Sequence, residues 1–226
     1  MVKPSNYRGI ALISCLGKLY LSLWAKRLAK HAEGVLSDAQ GGFRGRRSTV
    51  DQCLGVHEVL LRNKRAGKTT YTCFIDFRKA FDTVWFEGLW KRLWDSGVRG
   101  KAWRIIRALY SSIQARVRVG NDLTRPVCMR QGVRQGCSLS PVMFNFFIDE
   151  LSNLLRNAGY GVDADSTLLH SLLYANDVVL VANIPEDLQK MIDVVDERIY
   201  RRLSMWWTSS AESGAWTSTS KRARSW

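Results

Sequence analysis

The chain has 226 residues, 46% of them hydrophobic, enough to bury the core of one or two domains. Its net charge of +14 suits a polyanionic partner, with nucleic acid ahead of an anionic membrane. No apolar run approaches the ~18 residues of a membrane-crossing helix, the N-terminus lacks the apolar stretch of a signal peptide, and five scattered cysteines without zinc spacing read as reduced thiols of an intracellular protein.

Residues 1–13 read as an extended lead-in carrying one exposed base, Arg8. Ser14 is placed to cap a helix whose stripe is Leu16, Leu19, Tyr20, Leu23 and Trp24. Lys18, Lys26, Arg27 and Lys30 lie mostly off that stripe, as a solvated or phosphate-facing side. At 37–48, three glycines surround Phe43 and Arg44, and Arg46 and Arg47 follow. Such a loop lets backbone approach a ligand closely while guanidinium groups meet phosphate. Ser48 and Asp51 form a capping box for a helix that stops at Gly67.

From Tyr71 to Asp76, apolar and polar residues alternate with the period of a half-buried strand, which puts Asp76 at its carboxyl end. Asp82 and Thr83 read as helix-start residues for a stripe of Phe86, Leu89, Trp90, Leu93 and Trp94 that ends at Gly97. A shorter helix is predicted around Trp103 to Tyr110. A hairpin with a basic face follows, Ala115 to Val119 returning at Val127 to Met129 around Gly120-Asn121-Asp122.

Arg130 to Pro141 is a glycine-bearing loop, with Ser140 as the expected cap and Pro141 as the first helical residue. The helix from Val142 to Arg156 is apolar nearly all round and should be deeply buried. Leu168–Tyr174 and Val178–Val181 read as two strands joined by Ala175-Asn176-Asp177. A last helix begins near Pro185, with Leu188, Met191, Ile192, Val195, Ile199 and Leu203 as its stripe. Beyond Leu203 there is no Val, Ile or Leu, only tryptophans among serines and threonines, and disorder is expected there.

Five segments, in this order, resemble the fingers and palm of reverse transcriptases, closest to those of non-long-terminal-repeat retrotransposons. They are Asn6-Tyr-Arg-Gly-Ile10, Gln40-Gly-Gly-Phe-Arg-Gly-Arg-Arg-Ser-Thr49, Phe74-Ile-Asp-Phe-Arg-Lys-Ala-Phe-Asp82, Arg134-Gln-Gly-Cys-Ser-Leu-Ser-Pro141 and Leu173-Tyr-Ala-Asn-Asp177. The resemblance covers roughly residues 4 to 203. It implies an α+β fold, an antiparallel sheet packed by helices, with fingers over 1–69, palm over 70–203, and 204–226 as a divergent tail. It implies RNA-directed DNA synthesis on an RNA template and a DNA primer, from deoxynucleoside triphosphates, with two Mg²⁺ ions. Hard cations of that kind are held by carboxylate oxygens and waters.

By the same resemblance, Asp76 and Asp177 are the metal-holding carboxylates. Phe81 is the aromatic under the sugar that turns away a 2′-hydroxyl, and so favours deoxynucleotides over the ribonucleotides of an RNA-dependent RNA polymerase. Gln135 and Gly136 hold the incoming nucleotide. Arg8 and Arg44 stand near triphosphate or template. The hairpin departs from the family's Tyr-Ala-Asp-Asp pattern, because Asn176 occupies the position of the first aspartate. The expectation is a weakened polymerase, with a non-catalytic nucleic-acid-binding remnant of a retrotransposon polymerase as the alternative. A thumb is not recognisable after the last helix, and the composition switch at Leu203 reads as a shifted-frame continuation. The polymerase expectation requires the tip of the late hairpin to lie within a few ångströms of Asp76.

Overall fold

The computed structural model describes residues 8–111, 113–164 and 167–197, together with the backbone of 222–225. Residues 1–7, the stripe positions Ile199 and Leu203, and most of the divergent tail lie outside the described residues. The helices are α1 (Cys15–Ala32), α2 (Thr49–Arg65), α3 (Phe86–Asp95), α4 (Gly100–Ser111), α5 (Ser140–Ala158) and α6 (Pro185–Val195). The main sheet is formed by β1 (Tyr71–Asp76), β8 (Ser171–Tyr174), β9 (Asp177–Ala182) and β10 (Arg222–Ser225), in the order β10-β1-β9-β8, antiparallel throughout. The expected disorder of 204–226 therefore does not extend to 222–225, which lie along the free edge of β1.

Because side chains alternate across a strand, the register divides this sheet into two faces. Cys73, Val178, Leu180 and Leu173 belong to one face and merge with the main core under α5 and α6. Asp76, Phe74, Asp177 and Val179 belong to the other. Helix α2 and the hairpin of β6 (Val162–Ala164) and β7 (Thr167–Leu169) cover the far half of that second face, where Val59, Val162 and Val181 pack together. The half that carries the aspartates stays open.

Helix α5 is the centre of the core. Leu139, Met143, Leu151 and Leu155 are fully buried, and α1, α3 and α6 pack around it. Emptying any one of these positions to alanine would cost roughly 2–5 kcal/mol. The helix starts at Ser140 with Leu139 in the cap position. Ser140 does not cap, because its hydroxyl bonds to the Tyr110 hydroxyl at 3.2 Å.

Three other local expectations change. Ser14 caps α1 as expected, accepting from Gly17 N, but the helix turns a different face inward. Leu21, Ala25, Leu28 and Ala32 are buried, whereas Leu16 is 81% and Leu19 61% exposed. The helix carries two apolar stripes, and the one with small alanines allows the close approach to α5. Helix α3 begins at Phe86 rather than at Asp82, since Lys79 takes a left-handed conformation (φ 53°) and residues 78–83 close into turns. Thr83 Oγ donates back to Lys79 O and Ala80 O, so it is not free to cap. The run 168–174 splits at buried His170, its first part pairing with β6 and its second with β9.

The arm at 114–128 is a hairpin as expected. β2 (Gln114–Ala115) pairs with β5 (Val127–Cys128), and β3 (Arg118–Val119) pairs with β4 (Asp122–Leu123). Arg116 and Arg118 lie on its exposed surface.

Candidate active site

Asp76 is the last residue of β1 and Asp177 the first of β9, and the two are directly opposed across the ladder. Such partners have Cα atoms roughly 4.5–5.5 Å apart. The hairpin tip between β8 and β9 is only Ala175 and Asn176, a two-residue connection of the kind that needs a left-handed residue. Ala175 supplies it at φ 57°, a strained position for a residue with a Cβ. The tip folds over β1: Phe77 N donates to Asn176 O at 3.4 Å, and Asn176 Nδ2 donates to Asp76 Oδ1 at 3.0 Å. The late hairpin and the strand-end aspartate are thus in contact, as the polymerase expectation required.

The carboxyl of Asp177 is pushed above its usual range, first by burial and then by the negative charge of Asp76. That repulsion is what a cation between them would relieve. Asn176 acts in the opposite sense, since its amide N–H already satisfies one oxygen of Asp76. Two carboxylates and one neutral amide oxygen fit a hard divalent cation that keeps several waters. They fall short of a three-carboxylate set: among the described residues, no group of three His, Cys, Asp or Glu could hold a metal ion.

Beside this pair, Phe81 stands half-buried. Its ring stacks on Phe144 of α5 at 4.8 Å and meets the edge of Phe43 at 6.0 Å. Its carbonyl accepts from Val133 N at 2.7 Å, which ties it to the chain leading into Gln135. Gln135 Nε2 donates to Asp82 Oδ1 at 3.4 Å, and Gln135 O accepts from Ala11 N at 2.8 Å. Gly136 has φ 93°, and a Cβ there would press on Ala11 O at 3.2 Å, so a glycine is required. Burial holds the Asp82 carboxyl above its usual range, against the positive charges of Lys79 and then of exposed Arg8. Arg8, Phe81, Asp82, Gln135 and Gly136 are therefore brought together.

Arg44 is not among them. Its guanidinium is buried, paired with Glu33 at 3.0 Å and donating to Ser37 O at 2.7 Å and Gln40 O at 3.3 Å. It holds its loop from within, out of reach of a triphosphate or template. The backbone reverses at Phe43 (φ 56°), which sends that ring out and the next side chain in.

The sequence reading missed the residues that position the tip. Gln40 is fully buried, and its Oε1 accepts from both Gly42 N at 2.8 Å and Ala175 N at 3.0 Å. A Cβ on Gly42 would overlap the Ala175 backbone. Gly42 thus admits the hairpin rather than a ligand. Asn145 Nδ2, from within α5, donates to Gly42 O at 2.8 Å and braces the loop from below. An asparagine among Met143, Phe144, Phe146 and Phe147 was the available signal, because a buried amide requires a partner.

The family model for reverse transcriptase (RNA-dependent DNA polymerase) matches residues 2–203. The Pol polyprotein of the type-1 retrotransposable element R2 from Popillia japonica is 33% identical over 180 residues, 79% of this chain and 25% of that protein. The probable RNA-directed DNA polymerase from transposon BS of Drosophila melanogaster is 33% identical over 183 residues, 79% of this chain and 19% of that protein. In fold, apo telomerase from Candida tropicalis aligns with a TM-score of 0.55 at 14% identity, covering 82% of this chain and 33% of that one. The chain spans a quarter or less of the two transposon proteins it matches. The motif order, the opposed Asp76 and Asp177, and the match over 2–203 lead to one assignment: this chain belongs to the reverse transcriptase family.

Proposed function

We propose that the chain is the fingers and palm of an RNA-directed DNA polymerase whose deoxynucleotidyl transfer is blunted by Asn176. The observation that carries this reading is the Asn176 amide hydrogen-bonded to Asp76, at the centre of an otherwise family-like site. The partners are an RNA template, a DNA primer and deoxynucleoside triphosphates. No helix among the described residues is long and apolar enough to cross a membrane.

Asp76 and Asp177 would hold the divalent metal, Mg²⁺ in the intact family, whose charge stabilises the triphosphate and the attacking primer hydroxyl. Phe81, stacked on Phe144, would lie under the sugar and turn away a 2′-hydroxyl. Gln135 is held by Asp82 and by the lead-in at Ala11, and with Gly136 it would hold the incoming nucleotide. Arg8 adds positive charge at that rim. Asn176 replaces one negative charge with a neutral amide. If that loss costs several kcal/mol of transition-state stabilisation, turnover falls on the order of 10³-fold.

Primer extension on a primed RNA template tests the proposal. The protein as it stands should extend no measurable primer with Mg²⁺, and Asn176→Asp should raise the yield. Robust extension by the unaltered chain would remove the impairment. The second reading, a non-catalytic nucleic-acid-binding remnant, draws on the same hydrogen bond and on the +14 charge. It predicts salt-sensitive duplex binding that persists in the Asp76→Asn variant.

A further inference from the structure

A cavity of about 420 Å³ opens between α3, α4 and the chain leaving β5, on the other side of the segments that carry Phe81 and Gln135. Its volume is that of an ordinary small-ligand pocket, which runs roughly 300–1,000 Å³. The floor is aromatic: Trp90 and Tyr110 are buried, with Trp85 and Phe86 half-buried beside them. The rim is basic. Arg107 and Arg130 are exposed, and among the described residues neither has a carboxylate within ion-pair distance. Arg107 stacks over the Trp103 ring at 5.0 Å. Glu87 is the rim's single carboxylate.

Arg134 covers the Tyr110 ring at 5.1 Å, so the half-buried Trp85 and Phe86 are the rings left to meet a base, while the exposed guanidinium groups suit its phosphates; the two are the recognition elements of an unpaired nucleotide. A double helix offers only phosphates here, since its bases are stacked on one another. The cavity also shares a wall with the proposed polymerase site. Gly132 N donates to Val84 O at 2.9 Å and Val133 N to Phe81 O at 2.7 Å, so Thr83 and Gln131 line the cavity directly behind Phe81 and Asp82. Nothing in the proposed transfer reaction uses this side of that wall.

We infer that the cavity walled by Trp85, Phe86, Trp90 and Tyr110 and rimmed by Arg107 and Arg130 binds an unpaired nucleotide of single-stranded nucleic acid. The choice of nucleic acid rests on the polymerase reading and on the net charge; the geometry of the pocket does not. Neither stacking nor the two guanidinium groups need a 2′-hydroxyl, so RNA and DNA single strands bind alike.

The test is fluorescence anisotropy of the full chain with short labelled single strands of RNA and DNA, and with a blunt RNA duplex, in EDTA. Arg107→Ala with Arg130→Ala should weaken single-strand binding about tenfold and change duplex binding little. Lys26→Ala with Lys30→Ala, exposed on α1, removes the same charge and should cost no more than ~2-fold. Equal losses from the two pairs, or none from the arginine pair, would overturn the inference. RNA carrying 5-iodouridine should photocrosslink to the peptide containing Trp85 to Trp90. Crosslinks confined to the Asp76 side, as expected if the cavity takes a protein segment instead, would overturn it as well. No metal is present in these measurements, so failure of primer extension leaves them standing, and restored extension by Asn176→Asp does not rescue them.

Discussion

The amide of Gln40 brackets the backbone of Ala175, accepting from its N–H at 3.0 Å and donating to its C=O at 3.3 Å. Ala175 sits in a conformation that costs an L-residue roughly 1–2 kcal/mol, and this bracket holds it there. Gln40→Ala strands the N–H groups of Gly42 and Ala175 and the carbonyl of Ala175 in a buried site. We predict a loss of about 2–4 kcal/mol in urea unfolding. Amide exchange at Ala175 should accelerate more than at Leu180 of the same sheet. A loss under 1 kcal/mol would mean that water replaces the amide.

Asn176→Asp exchanges a hydrogen bond for a third negative charge beside Asp76 and Asp177. Without metal, the variant should melt below the parent. With Mg²⁺ or Mn²⁺ it should bind the ion about tenfold more tightly or better, as read by titration calorimetry. If the two proteins give the same binding heat, the damaged position is not the one that limits the metal site.

Burial and Asp76 together raise the Asp177 carboxyl, so the native state takes up its proton at higher pH than the unfolded chain does. Its contribution to stability is unfavourable at neutral pH, and it improves as pH falls through the raised value toward 3.8. Asp177→Asn should therefore melt higher than the parent at neutral pH, with the gap closing in acid. A gap that does not change with pH would point to packing instead.

His170 behaves oppositely. Burial lowers it from 6.5 to about 4, and its Nδ1 lies 2.8 Å from Ser171 Oγ. The unfolded chain then binds the extra proton first, so stability falls as pH drops from 6.5 toward 4, by on the order of 3 kcal/mol. A His170→Gln variant should lose most of that slope in denaturation curves taken across the window. An unchanged slope would assign acid sensitivity to other groups.

In an Asn176→Asp background that extends primers, Phe81→Ala should narrow the preference for deoxynucleotides over ribonucleotides. Single-nucleotide incorporation measures this directly. An unaltered ratio would move the sugar filter to another residue.

Much of the chain was readable because its elements are locally consistent. The Ser48–Asp51 capping box, the Leu89–Leu93 stripe and the alternation at 71–76 each fixed an element. The pairing of Asp76 with Asp177 came from motif order, since no local pattern links residues a hundred positions apart. What stayed hidden depended on which surface found a partner. Helix α1 had two apolar stripes, and only the position of α5 decides between them. Arg44 and Gln40 sit in a loop that looks built for a ligand, yet one salt-bridges Glu33 and the other grips the hairpin. Composition gave no sign that residues 222–225 would lie along β1.

Phe81 rests flat on Phe144, which is itself 2% exposed. If a sugar seats on Phe81, as proposed, its depth is set from underneath, by the thickness of an almost wholly buried side chain. Trimming Phe144 would lower that floor without touching any atom of the site, and substrate choice would drift through a change that looks purely architectural.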